Sequence, residues 1–366
     1  MLHEPEEDVA FRAGDVRRFP EIAVSSNRKK VLLLHTGGTL MMRSGDARPL
    51  AVPPRSIYVD SLLEKLPVLA DLAEIHTRVL YQIDSSDMQP EQWVAVAQVI
   101  HDLAPDYDGI VIVHGTDTMA YTASALAFLL PDLDRPIVLT GSQRPLDQIR
   151  SDARQNLIDA FQLALRPIPE VGIAFNAKLW RGCRTTKFDA WGLDAFDAPM
   201  CPPLARLGVD IDIGAHVLPP RTRRRHFDDR LEPNVLAVRI FPGLDPRLLI
   251  GAIDAGVRGI VLKAFGAGNV PQTRRSLLPV IEHATARDTP VVIASQCHRA
   301  HVDLERYEGG RGALDVGAIG AADMTDEAAL TKLMVALGRV ARGQSRIASA
   351  RAAFATDVAG EVTLPR

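Results

Sequence analysis

Val31-Leu32-Leu33-Leu34-His35-Thr36-Gly37-Gly38-Thr39-Leu40 is the stretch on which the fold turns. Its first four residues are apolar without alternation, which suits a strand covered on both faces, as in a parallel sheet flanked by helices. The run stops at two glycines bracketed by threonines. Such a turn lets backbone approach a ligand and leaves two hydroxyls at the carboxyl edge of the sheet, where open α/β folds bind their ligands. Taken alone, such a turn is more often a plain strand-to-helix connection.

A second stretch repeats the design. Gly109-Ile110-Val111-Ile112-Val113 reads as another buried strand and leads into His114-Gly115-Thr116-Asp117-Thr118-Met119, followed by an alanine-rich helical pattern from Ala120 to Leu130. A small polar substrate could be held between two such turns, one offering a hydroxyl nucleophile and the other Thr-Asp. The competing reading is helix capping, which Thr and Asp favour. Capping is the expectation for Thr118.

The two turns together resemble the signature of the L-asparaginase family, bacterial type I and type II enzymes alike. The likeness runs from about residue 30 to about residue 362. It is strongest toward the type I branch, because Asp84-Ser85-Ser86-Asp87-Met88, Leu139-Thr140-Gly141-Ser142-Gln143, Arg181-Gly182-Cys183-Arg184-Thr185-Thr186-Lys187, Phe265-Gly266-Ala267-Gly268-Asn269 and Gly320-Ala321-Ala322-Asp323-Met324-Thr325 follow in the same order. One motif is weak evidence; seven in register are strong.

Composition bounds the rest. A chain of 366 residues, 47% hydrophobic and 24% charged, is that of a globular protein long enough for two domains. Its net charge of −3 gives no reason to expect nucleic acid, and the basic run Arg221–Arg225 passes straight into His226-Phe227-Asp228-Asp229, as a solvated connector does. Cys183, Cys201 and Cys297 cannot all pair and lack metal-site spacing, so a reducing, cytoplasmic setting without metal or other cofactor is the expectation. No apolar stretch approaches the roughly 20 residues that span a bilayer.

Strand and helix patterns alternate along the chain, as in a mostly parallel sheet flanked by helices. We expect an extension at residues 1–28, a catalytic α/β domain at 29–212, a connector at 213–233 and a smaller α/β domain at 234–366. In the first domain the pattern predicts a lid-like loop over 41–54, helices over 56–66, 90–103 and 151–165 with Ser151 as a cap, and strands over 78–83, 136–140 and 171–175. Residues 178–220 read as irregular. In the second it predicts strands over 235–241, 259–263 and 290–295, and helices over 245–255, 272–286 and 326–338, the last capped by Thr325. The resemblance supplies the two-domain asparaginase arrangement.

Hydrolysis of a side-chain amide needs a nucleophile, a group that takes its proton, and groups that hold the substrate's ammonium and carboxylate. A threonine hydroxyl is inert until a neighbour accepts its proton, and a lysine beside a carboxylate can serve. By resemblance, Thr39 matches the nucleophile, and Thr116, Asp117 and Lys187 match the Thr-Asp-Lys group that relays protons or activates water. Asp117 also receives the substrate ammonium, and Ser85 and Ser86, with Asp84 beside them, receive its carboxylate. Arg184 is the rival to Lys187 as the positive group, and His114 is expected to pack beneath its turn. Lys263 and Cys297 match a second, regulatory asparagine site of some type I enzymes, against the plainer reading of Cys297 as a buried apolar residue.

One departure stands out. The family usually carries a tyrosine about ten residues after the nucleophile; here Arg48-Pro49-Leu50 occupies that region and the nearest tyrosine is Tyr58. The resemblance implies hydrolysis of L-asparagine to L-aspartate and ammonia, by a homo-oligomer, dimer or tetramer. Two alternatives are an amino-acid-binding sensor with weak or no turnover, supported by the missing tyrosine, and the asparaginase-like subunit of a tRNA-dependent amidotransferase.

Overall fold

The computed structural model describes residues 17–18, 28–41, 64–132, 134–220 and 227–363. The expected loop beyond Met41, most of the expected helix at 56–66 with Tyr58, and the Arg221–Arg225 run lie outside the described residues. Fifteen strands are described. In chain order β1 is Arg17–Arg18, β2 Lys30–Gly37, β3 Glu74–Ile83, β4 Gly109–Val113, β5 Ile137–Thr140, β6 Val171–Phe175, β7 Lys178–Arg181, β8 Thr186–Lys187, β9 Phe196–Asp197, β10 Ala205–Leu207 and β11 Ile211–Ile213. They are followed by β12 Val235–Arg239, β13 Gly259–Ala264, β14 Val291–Ser295 and β15 Ile319–Gly320.

Among the described residues the larger sheet runs β1-β3-β2-β4-β5-β6-β7-β10-β11. Its centre, β3-β2-β4-β5-β6, is parallel throughout. The unalternated apolar run of β2 has the expected cause: Val31 and Leu33 enter one buried cluster while Leu32 and Leu34 enter another. In β4, Val111 and Val113 divide from Ile110 and Ile112 in the same way. Both strands are therefore buried on both faces, which a strand between two helical layers requires.

The smaller sheet, β12-β13-β14-β15, is parallel. Its helix Asp326–Gly338 is capped by Thr325, whose side chain accepts from Ala328 N. That helix packs on Met119–Leu129 of the larger domain, and residues of both, such as Leu126, Phe128, Leu333 and Leu337, share one apolar cluster. The helix Met119–Leu129 is buried on nearly every side, so its alanines serve as close-packing surface rather than as one face of an amphipathic helix.

Several expectations are corrected. Residues 178–220 are irregular only in part: β7, β10 and β11 extend the large sheet by antiparallel pairing, and β8 and β9 form a hairpin. These strands are two to four residues long, too short to give a period in sequence. The helix expected from Gln272 begins at Leu278, because Arg275 takes a left-handed φ of 54° and Pro279 sits in the first turn of the helix.

The helix expected from Ser151 begins at Ala153, with Ser151 Oγ accepting from Ala153 N at 3.1 Å and Asp152 at the cap position. Among the helices that were not expected are Glu308–Asp315 and Arg346–Phe354, besides the single turn Leu69–Leu72. The first holds three glycines and so reads as a loop, yet a Cβ on Gly309 or Gly310 would lie 2.8 Å from backbone oxygens of Val270 or Leu304. Close packing, not turn formation, accounts for those two glycines.

Candidate active site

Three strand ends build the site at the carboxyl edge of the larger sheet. Between His35 and Gly37 the register of β2 against β3 shifts, which bends the strand end. Gly37 and Gly38 then take φ of 118° and 94°. A Cβ on Gly38 would lie 2.4 Å from Gly115 N, and one on Gly37 2.1 Å from Ile83 O. Only glycine fits at either position, so the turn after β2 is pressed against the end of β3 and the turn after β4.

The third turn closes on the same point. A Cβ on Gly115 would lie 2.6 Å from Ser85 Oγ, and Thr118 Oγ1 donates to Ser85 O at 2.7 Å. Thr118 thus occupies the cap position of its helix without capping it, a correction to the expectation from sequence. Its hydroxyl ties two turns together instead. Asp84 caps the short turn Ser85–Asp87, its Oδ1 accepting from Ser86 N at 2.9 Å and from Ser86 Oγ at 2.8 Å. Ser85 is buried and Ser86 exposed, so the pair presents one hydroxyl inward and one outward.

Thr39 opens the 3-10 turn Thr39–Met41, half-buried and one residue past the Gly38 and Gly115 contact. Thr116 is buried, one residue past the other side of that contact. Lys187, on the β8 and β9 hairpin, reaches both residues of the second turn: Nζ donates to Thr116 Oγ1 at 2.8 Å and to Asp117 Oδ1 at 2.7 Å. The lysine side chain is 16% exposed and Asp117 63%, so the ammonium lies inside with its counter-charge at the rim.

His114 lies wholly buried beneath the turn, with Nδ1 2.7 Å from Gly115 O and Nε2 2.9 Å from Thr122 Oγ1. Burial lowers its pKa to about 4, against the opposing effect of the Gly115 carbonyl, so the ring is neutral at physiological pH. Arg184, the rival cation, is committed elsewhere: Nη2 lies 2.7 Å from Asp323 Oδ2, both side chains nearly inaccessible. Among the described residues no group of three or more His, Cys, Asp or Glu could hold a metal ion.

Residues 30–218 match the family described as Asparaginase, N-terminal, and residues 234–350 match the Glutaminase/Asparaginase C-terminal domain. An L-asparaginase of Thermococcus kodakarensis is 40% identical over 335 residues, which is 91% of this chain and 99% of that protein. The chain belongs to the asparaginase family. L-asparaginase 1 of Escherichia coli is 36% identical over 340 residues, covering 92% of this chain and 98% of that one. The solved structure of L-asparaginase I from Vibrio cholerae superposes with a TM-score of 0.80 at 34% identity, covering 92% of this chain and all (100%) of that one.

In this family member the residues matched to a second site lie apart from the three turns. Lys263 and Cys297 line an open cleft, together with Thr186, Ser295, Asp326 and Glu327. Cys297 is exposed, which removes its reading as a buried apolar residue. Lys263 is in contact with Asp326, and Thr186 Oγ1 donates to Glu327 Oε1 at 2.7 Å. The hairpin that carries Lys187 is thereby fastened to the smaller domain. No helix among the described residues is long and apolar enough to cross a membrane.

Gln143 is the site residue that sequence reasoning gave no role. It belongs to the quoted Leu139–Gln143 motif, but only the folded structure brings its Oε1 to 3.1 Å from Thr116 Oγ1.

Proposed function

We propose that the chain hydrolyses L-asparagine to L-aspartate and ammonia, with Thr39 as nucleophile. The observation that carries this reading is the contact of one lysine ammonium with both Thr116 Oγ1 and Asp117 Oδ1, on a turn pressed against the turn of Thr39. Thr39 Oγ attacks the side-chain amide carbon, the C–N bond breaks, and ammonia leaves with the proton that the hydroxyl has given up. Water then cleaves the acyl ester. Thr116 and Lys187 relay the protons, Asp117 receives the substrate's ammonium, and Ser85 and Ser86, positioned by Asp84, receive its carboxylate.

The test is direct. Purified protein given L-asparagine releases ammonia and L-aspartate in equal amounts; saturable binding without product would instead mark an amino-acid sensor. L-glutamine is expected to be a poorer substrate rather than an excluded one, since one methylene separates substrates by only about 1–3 kcal/mol. Replacing Lys187 by methionine is expected to lower kcat by about 10²- to 10⁴-fold, the usual range for a positioned proton-transfer group. Undiminished turnover in that variant removes Lys187 from the relay.

The remaining parts of the proposal rest on resemblance and on placement. Residues 29–212 form the catalytic domain, 213–233 a connector and 234–366 the smaller domain. The protein works in the cytoplasm as a homo-oligomer, dimer or tetramer, and sedimentation as a monomer contradicts that assembly. Lys263 and Cys297 mark a second, regulatory asparagine site in the cleft; hyperbolic substrate dependence, unchanged in Lys263→Met, counts against it.

A further inference from the structure

We propose that Thr118 is a positioning residue that sets the distance between the two anchors of the substrate's amino-acid end, Asp117 for its ammonium and the Ser85 and Ser86 turn for its carboxylate. The inference rests on the reading of those residues as the anchors.

The Thr118 hydroxyl does not do what is usual at its position. A threonine at the start of a helix ordinarily accepts from a backbone N–H of the first turn. Thr118 stands at the cap position of Met119–Leu129 and makes no such bond. Its Oγ1 instead donates to Ser85 O at 2.7 Å, across 33 residues of sequence.

Both sides of that bond are rigid. Met119–Leu129 is buried along nearly its whole length, so Thr118 opens an element that cannot shift without disturbing the core. The turn after β3 is braced within itself: Asp87 N donates to Asp84 O at 3.0 Å and Met88 N to Ser85 O at 3.2 Å, besides the two bonds that Asp84 Oδ1 accepts from Ser86. Its base is held where Gly38 N donates to Ile83 O at 3.2 Å. A turn so braced moves as a unit about its base, and the Thr118 bond fixes where the Ser85 end lies. The close packing of Gly115 on Ser85 stops the two turns from coming nearer, and the Thr118 bond stops them from parting.

The ammonium and carboxylate of an α-amino acid hang on one carbon, so covalent geometry fixes their separation and the protein must supply two anchors at a matching distance. One hydrogen bond sets that distance here. Thr118 adjoins Asp117 in the chain, and the acceptor is the carbonyl of Ser85 itself. Anchors spaced in advance lower the cost of binding a ligand that bridges both turns. A ligand held at one end gains nothing from the spacing, because it moves with the turn that holds it. The contacts that place Thr39 and Lys187 are made with Gly115, Thr116 and Asp117, so loss of the Thr118 hydroxyl acts on binding more than on turnover.

The experiment compares Thr118→Val and Thr118→Ser with the parent, by titration with L-aspartate and by ammonia release from L-asparagine. Thr118→Val keeps the side-chain shape and removes the donor. The Kd for L-aspartate and the KM for L-asparagine should each rise about three- to tenfold, the worth of one hydrogen bond, with kcat within about twofold of the parent. Thr118→Ser restores the donor and should restore both constants. Two further probes separate spacing from general damage: succinamic acid, which has the carboxylate but no ammonium, and 3-aminopropanamide, which has the ammonium but no carboxylate. Their inhibition constants should be the same in Thr118→Val as in the parent. An equal loss for these one-ended probes, no recovery in Thr118→Ser, or parent-like L-aspartate binding in Thr118→Val overturns the inference. Asp117→Asn and Ser85→Ala separate the two levels: parent-like L-aspartate binding in either sinks the assignment of the anchors, whereas weakened binding in both beside a parent-like Thr118→Val sinks only the role of Thr118.

Discussion

Thr39→Ala is expected to reduce ammonia release from L-asparagine by about 10⁴-fold or more while L-aspartate still binds, because loss of a nucleophile leaves the rest of the site able to hold ligand but unable to form the acyl ester. Thr39 and Thr116 each stand one residue beyond the point where Gly38 meets Gly115, so the two hydroxyls are held by one contact between turns. If they act as one unit, Thr116→Val alone is severe and the double variant is little worse than Thr39→Ala. Multiplication of the two losses in the double variant would mean that the threonines serve separate steps. Titration with L-aspartate distinguishes either result from collapse of the site, since neither substitution removes Ser85 or Asp117.

The parts of this site that could be read in the sequence are those whose physics is local. β2 and β4 were legible because strands buried on both faces have no polar alternation, and their turns were legible because Gly-Gly and Gly-Thr-Asp break the pattern sharply. Lys187 was legible only through its motif. Its strand is two residues long, and what aims it at Thr116 is non-local: the pairing of Lys187 with Phe196 and the bond from Thr186 to Glu327 of the other domain. Gln143 and Thr118 were missed in role for the same reason, since neither the contact of Gln143 with Thr116 nor that of Thr118 with Ser85 can be foreseen from composition or period. Arg184 stays a rival to Lys187 in sequence because a motif says that a cation is present but not whether its partner is a substrate or a buried carboxylate, and the structure gives it the buried carboxylate.

That buried partner supports the prediction with the largest expected effect on stability. Arg184→Met should destabilise the protein by about 3–5 kcal/mol at neutral pH, the usual cost of stranding one member of a buried ion pair. Asp323 would be the stranded member. Burial pushes its carboxyl upward, but the Arg184 guanidinium, the Thr363 hydroxyl and the Thr363 amide outweigh that and hold its pKa at about 2. A carboxyl depressed on folding contributes stability that is present above the unfolded value of about 4 and is lost as pH falls toward 2. In Arg184→Met the guanidinium is gone while burial remains, so the Asp323 pKa rises and protonation relieves the penalty instead of creating one.

The deficit relative to the parent should therefore be largest near pH 7 and shrink as pH is lowered toward about 4, measured by urea unfolding at several pH values. A deficit that is under about 1 kcal/mol, or the same at every pH, contradicts the assignment. Replacing both partners, Arg184→Met with Asp323→Leu, should recover part of the loss, because two apolar groups leave no charge without a partner. Turnover should fall in the single variant as well. Arg184 donates to Asp323 and to the carbonyls of Met200 and Glu361, and it precedes Lys187 by three residues, so the ion pair between the domains also fixes where the hairpin of the proposed relay begins.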